Sequence, residues 1–176
     1  MIKVLVDGDL QELLTSCKAG DRNAQREIYK RYYSYAMGIC IRYATNRTES
    51  LEIMNNGFYT LFSNSKLSKQ NEAFFENLQK IMIHSIITYY KDEVACTIKK
   101  SMRYKAFNDF APDRDLASHQ LLSAVQKLPV IERLTFNLYA IDGYTNAEIC
   151  KMINITTPSL EKILFTARNT LRNIVI

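Results

Sequence analysis

Apolar residues recur every three or four positions along most of this chain, and little interrupts them: 176 residues include only 5 glycines and 3 prolines. That supply of breakers is too small for the many tight turns of a sandwich or barrel, or for a glycine-rich phosphate loop. Spacings of three and four place side chains on one face of an α-helix, so the chain is predicted to be all-α. With 47% hydrophobic and 23% charged residues it has the composition of a globular protein, which excludes wholesale disorder. The length suits one ordinary domain or two small ones.

Leu10, Leu13, Leu14 and Cys17 form the stripe of a short first helix, closed by Gly20 and followed by Asp21 as the cap of a second. The second helix carries Ile28, Tyr32, Ala36, Ile39 and Tyr43 at helical spacing and breaks in the polar stretch 45–48. A third is predicted over 49–64, burying Ile53, Met54, Phe58 and Leu61, and a fourth over 71–91 around Phe74, Leu78, Ile81 and Ser85. The stretch 81–90 also has the β-branched and aromatic content of a strand, but it continues the helical pattern upstream. A basic stretch, 96–117, reads as a partly helical linker. The expected organisation is therefore a four-helix bundle over 1–95, a linker over 96–117 and a second helical domain over 118–176.

Start and stop signals are densest in that last segment. A helix is predicted over 119–126, a second opened by Pro129 and ended by Gly143, and a third begun by Thr145-Asn146-Ala147-Glu148, which has the form of a capping box. Asn154 suits a left-handed turn residue, Thr156 or Thr157 caps the next helix, and Pro158 lies in its first turn. That final helix, 158–174, has Leu160, Leu164, Ala167 and Leu171 on one stripe. A short helix, a tight turn and a longer amphipathic helix make a helix-turn-helix, whose second helix can present side chains to a major groove.

The net charge of +5 permits a polyanionic partner without reaching the density of a histone-like protein. Residues 96–117, with 5 basic and 3 acidic side chains, are the most basic segment for their length. Cys17, Cys40, Cys96 and Cys150 are far apart, and only His84 and His119 could join them, which is not zinc spacing. No apolar run approaches the roughly 18 residues of a membrane span, so a cytoplasmic protein with reduced thiols is predicted. Paired catalytic carboxylates, His-Glu-x-x-His and Gly-x-Ser-x-Gly are absent from the sequence, so it is not expected to be an enzyme.

Read in order, Leu128-Pro129, Gly143-Tyr144-Thr145, Ala147-Glu148-Ile149, Ile155-Thr156 and Ala167-Arg168 resemble the promoter-binding region four of bacterial sigma factors, in particular the small extracytoplasmic-function group. Gly20-Asp21, Ala24, Ile28-Tyr29 and Tyr32 resemble the start of region two. The stretch 48–58 is similar to the helix with which that family grips the polymerase clamp, and Phe74 with Leu78 matches the aromatic-leucine pair that follows. The resemblance implies a two-domain specificity subunit that leaves catalysis to core RNA polymerase. It implies core polymerase and promoter DNA as partners, allows an anti-sigma factor, and requires no cofactor, metal or membrane insertion.

For polymerase binding the resemblance implies Glu52, Asn55 and Asn56, with Asn55 where the family has Gln and Asn56 where it has an acid. For promoter DNA it implies Asn64, Lys66, Lys69 and Gln70 in the loop before the fourth helix, and Lys80 and His84 within that helix. In the last helix it implies Thr157, Ser159, Glu161, Lys162 and Arg168. Lysines at a loop neutralise phosphate while amides read a base edge. Thr157 and Ser159 can equally serve as caps, and Arg168 can complement the negative end of the helix dipole. Glu161, Ile163 and Thr166 stand where the family usually has basic residues, which predicts a weaker hold on phosphate. Two other readings remain open: a degenerate sigma-like interaction module, and a simple helix-turn-helix regulator.

Overall fold

The computed structural model describes residues 7–63, 72–101 and 118–175. Among them every regular element is helical, as the apolar periodicity predicts. The order is α1 (Asp7–Lys18), α2 (Arg22–Tyr43), α3 (Arg47–Ser63), α4 (Glu72–Tyr89), α5 (Lys91–Ser101), α6 (Ser118–Gln126), α7 (Val130–Phe136), α8 (Asn146–Ile153) and α9 (Thr157–Val175), with a five-residue π-helical segment, Asn137–Ile141, continuing α7. The loop residues Asn64, Lys66, Lys69 and Gln70 and most of the expected linker lie outside the described residues.

The chain divides into two compact units, one of residues 1–41 with 47–86 and the other of 42–46 with 87–176. In the first, Asp21 caps α2: its Oδ1 accepts from the amide of Asn23 at 2.8 Å. Ile28, Ala36, Ile53, Met54, Phe58, Leu61, Phe74, Leu78 and Met82 are almost wholly buried. Rings lock the helices at close range, with Tyr29 packed on Phe58 and Tyr32 on Phe74, each at 4.7 Å between centroids. Gly57 brings α3 close to α4, since a Cβ there would lie 2.5 Å from the Met82 sulfur.

In the second unit α9 packs against α6, α7 and α8. Ala124, Val125, Leu128, Ala167 and Leu171 form a core cluster with Phe136 against it. Residues 42–46 join this unit through polar bonds. The buried Arg133 donates from Nε to the Tyr43 carbonyl at 2.6 Å and from Nη1 to the carbonyls of Leu128 at 2.8 Å and Gln126 at 3.1 Å. The ring of Tyr90 covers its guanidinium at 5.7 Å. Asp142, whose side chain is only 3% exposed, accepts from Arg42 Nη2 at 2.8 Å and from the Tyr43 hydroxyl. Burial, followed by the Asp142 charge and hydrogen bond, pushes that phenol well above its usual range, so it stays a donor.

The π-helical segment is a departure from the continuous α-helix read between Pro129 and Gly143. Asn137 holds it in place: its Nδ2 donates to the carbonyls of Arg42 and Arg133, both at 2.9 Å, and its own carbonyl accepts from the Asp142 amide. Gly143 then adopts φ 75°, a left-handed conformation costly for a residue with a Cβ.

Candidate nucleic-acid interface

The helix-turn-helix is built by local signals. Thr145 caps α8 with a complete capping box: its hydroxyl accepts from the Glu148 amide, and the Glu148 carboxylate accepts from the Thr145 amide at 2.9 Å and its hydroxyl at 2.7 Å. Those bonds hold the Glu148 carboxyl below its usual value. Asn154 closes α8 at φ 55°, ψ 56°, the left-handed conformation in which a short polar side chain is tolerated. Its neighbour Ile155 donates its amide to the Cys150 carbonyl at 3.0 Å, and α9 begins two residues later. Thr156 precedes α9, accepting from Leu160 through its carbonyl and sharing a hydroxyl bond of 2.9 Å with Ser159.

Helix α9 is fastened by Leu160, Ile163, Leu164, Ala167 and Leu171, all buried. Ile163, one of the positions where the resembled family is usually basic, thus belongs to the core stripe. Thr157, Ser159 and Glu161 are exposed, whereas Lys162 and Arg168 are half-buried. Ser159, Lys162 and Thr166 fall on the side of the helix away from the buried stripe, and Glu161 and Arg168, seven residues apart, share its flank. The Thr157 hydroxyl is 3.9 Å from the Cys150 thiol, a weak bond across the corner. Arg168 makes a cation–π contact with Tyr139, with 5.6 Å from the guanidinium carbon to the ring centroid.

In the first unit, Glu52, Asn55 and Asn56 are exposed on α3, while Ile53, Met54 and Phe58 secure it. Asn55 Oδ1 accepts from the Tyr29 hydroxyl at 3.0 Å, which orients its amide. Lys80 and His84 are exposed one turn apart on α4, and Lys80 stands 3.9 Å from Glu76 in a solvent-screened pair worth little. The structure therefore gathers the residues in two sets, one on α3 and α4 and one on α9. Tyr139 and Tyr29 enter through contacts between residues far apart in sequence, which no motif signals.

Among the described residues no cluster of three or more histidine, cysteine, aspartate or glutamate side chains could hold a metal ion, and no helix is long and apolar enough to cross a membrane. A capped α8, a left-handed turn and a core-anchored, amphipathic α9 with an exposed N-terminal half define a helix-turn-helix protein. Residues 118–171 match the family described as Sigma-70, region 4, which covers the last four helices and under a third of the chain. No curated protein matches the chain. Among solved structures, it is similar to that of CnrH in complex with the cytosolic domain of CnrY, at 14% identity over 94% of this chain and 96% of that one, with a TM-score of 0.46.

Proposed function

We propose that the protein is a sigma factor of the extracytoplasmic-function type, which binds core RNA polymerase and directs it to promoters. The observation that carries the reading is the region 4 match over 118–171, which takes in the helix-turn-helix formed by the capped α8 and by α9. In this reading α9 enters the major groove near the upstream promoter element. Ser159 and Lys162 face bases or phosphates, and Glu161 accepts from a cytosine amine. Glu52, Asn55 and Asn56 on α3 meet the polymerase. Lys80 and His84, with Asn64, Lys66, Lys69 and Gln70 before α4, meet the melted strand. Residues 1–95 and 118–176 act as the two functional domains across the 96–117 linker, with core polymerase, promoter DNA and an anti-sigma factor as partners. The protein contributes specificity and no catalytic group.

The test is reconstituted transcription with core polymerase over a promoter library. The proposal expects transcripts that start at a defined promoter class only when the chain is present. Charge reversal at Glu52 should weaken association with core polymerase while the far-ultraviolet circular dichroism is kept. Polymerase binding with no promoter-specific initiation favours the degenerate interaction module, which the exposed Glu161 and the amides at 55 and 56 would suit. Tight sequence-specific binding without polymerase favours the simple regulator.

A further inference from the structure

Tyr139 is a large side chain left 40% exposed. It lies in the π-helical segment, between the buried Leu138, which has no exposure, and the exposed Ile141. Asn137 pins the start of that segment by two side-chain bonds, and the Tyr144 amide returns to the Leu138 carbonyl at 2.9 Å. Insertions of a π turn into a helix are frequent at functional sites. The ring supported in this way carries the Arg168 guanidinium, 5.6 Å from its centroid.

We propose that Tyr139 is a positioning residue for DNA binding, whose ring holds Arg168 at the edge of the recognition helix so that the guanidinium meets a backbone phosphate. The proposal rests on the DNA-reading assignment of α9 and extends the site to a residue outside the helix-turn-helix. Arg168 shares the flank of Glu161 but lies seven residues, or roughly 10 Å, farther along the axis. A major groove is about 12 Å wide. With the N-terminal half of α9 over the groove floor, Arg168 falls at the groove wall, where phosphates and not base edges are within reach. A long arginine stem loses rotamer freedom on ordering, and a ring that orders it beforehand removes part of that loss from binding. A cation–π contact uses none of the guanidinium's hydrogen-bond donors, so its N–H groups can still donate to phosphate oxygens.

The experiment measures the affinity of the full chain for a fluorescein-labelled, mixed-sequence DNA duplex over a series of KCl concentrations. The variants are Tyr139→Ala, Tyr139→Phe, Arg168→Ala, the Tyr139→Ala/Arg168→Ala double variant and Lys162→Ala. Arg168→Ala should flatten the slope of log affinity against log salt by roughly 0.9, the value of one phosphate contact. Tyr139→Ala should lower affinity roughly two- to five-fold, the range of an exposed cation–π contact, and move the slope toward that of Arg168→Ala. In the double variant the loss of Tyr139 should add nothing. Tyr139→Phe keeps the ring and should restore the wild-type slope. Unchanged circular dichroism in each variant separates these effects from unfolding.

Additive losses overturn the proposal, as does a Tyr139→Phe loss equal to that of Tyr139→Ala, which would make the hydroxyl the contact. An Arg168→Ala variant with wild-type slope overturns it as well. Binding weakened by Lys162→Ala but indifferent to Tyr139→Ala removes the proposal and leaves the DNA reading in place. Where the wild-type chain alone does not hold the duplex at low salt, the same series is run on its complex with core polymerase, and no affinity there removes both.

Discussion

Gly57 shows how little room one position can leave. It sits inside α3, where glycine weakens a helix by about 1 kcal/mol relative to alanine, so an open site would gain from Gly57→Ala. Here the new Cβ would lie 2.5 Å from the Met82 sulfur and 2.9 Å from its methyl carbon, and Met82 is itself fully buried with no exit to solvent. Gly57→Ala should therefore destabilise the protein by about 1–3 kcal/mol, and Met82→Val in the same chain should recover part of the loss, both read as shifts in the urea midpoint. Glu132 behaves differently. Burial raises its carboxyl above the usual value, opposed by a hydrogen bond from the Thr170 hydroxyl. A carboxyl raised in the fold favours the native state while protonated, and that contribution is lost as pH rises through its folded value. Glu132→Gln should thus be more stable than wild type near neutrality, and the advantage should vanish in acid. An equal advantage at every pH would show that desolvation of the charge is not the cause.

At the scale of an element, α8 is only eight residues long and depends on its ends. The capping box supplies one end, and Thr145→Ala should cost about 1 kcal/mol, seen in thermal unfolding. The carboxylate of Glu148 adds a pH dependence of the opposite sign to that of Glu132. Its folded value is depressed by the Thr145 bonds, so its contribution is present above the unfolded value near 4.5 and is lost as pH falls through the lower folded value. In a Thr145→Ala background that acid-sensitive part should shrink. The capping box, the turn at Asn154 and the anchor stripe of α9 were all legible beforehand, because each is written within a few consecutive residues. The π-helical turn at 137–141 was not, because it is held by Asn137 reaching the carbonyl of Arg42, 95 positions away.

The whole molecule divides where local signals give no hint. Residues 42–46, the last two residues of α2 and the three that follow, belong to the second unit, where Arg133, Asn137 and Asp142 bond to Arg42 and Tyr43. A fragment of 118–176 contains the region 4 match but lacks those partners, leaving the buried Arg133 and Asp142 short of hydrogen bonds. Unsatisfied buried groups cost about 1–3 kcal/mol each, more when charged. The fragment should therefore unfold in less urea than the same segment in the full chain, followed by helical circular dichroism and by the emission of its own tyrosines. Equal stability would mean that the 42–46 bonds contribute nothing. The experiment also bears on function, since DNA binding by an isolated fragment tests α9 only if the fragment is folded.

Taken alone, the sequence determined the all-α class, the positions of most helices, the helix-turn-helix and its resemblance to sigma region four. Periodicity, caps and turn residues act over three to seven positions, and the order of the motifs is itself a property of the linear chain. The tertiary structure decided that Ile163 is core and not a phosphate contact, that Gly57 exists to admit Met82, that Arg133 is an internal clamp, and that Tyr139 carries Arg168. Each of these depends on which side chain arrives from a distant helix. A local pattern can say that a face is buried, but only packing chooses the atom that meets it.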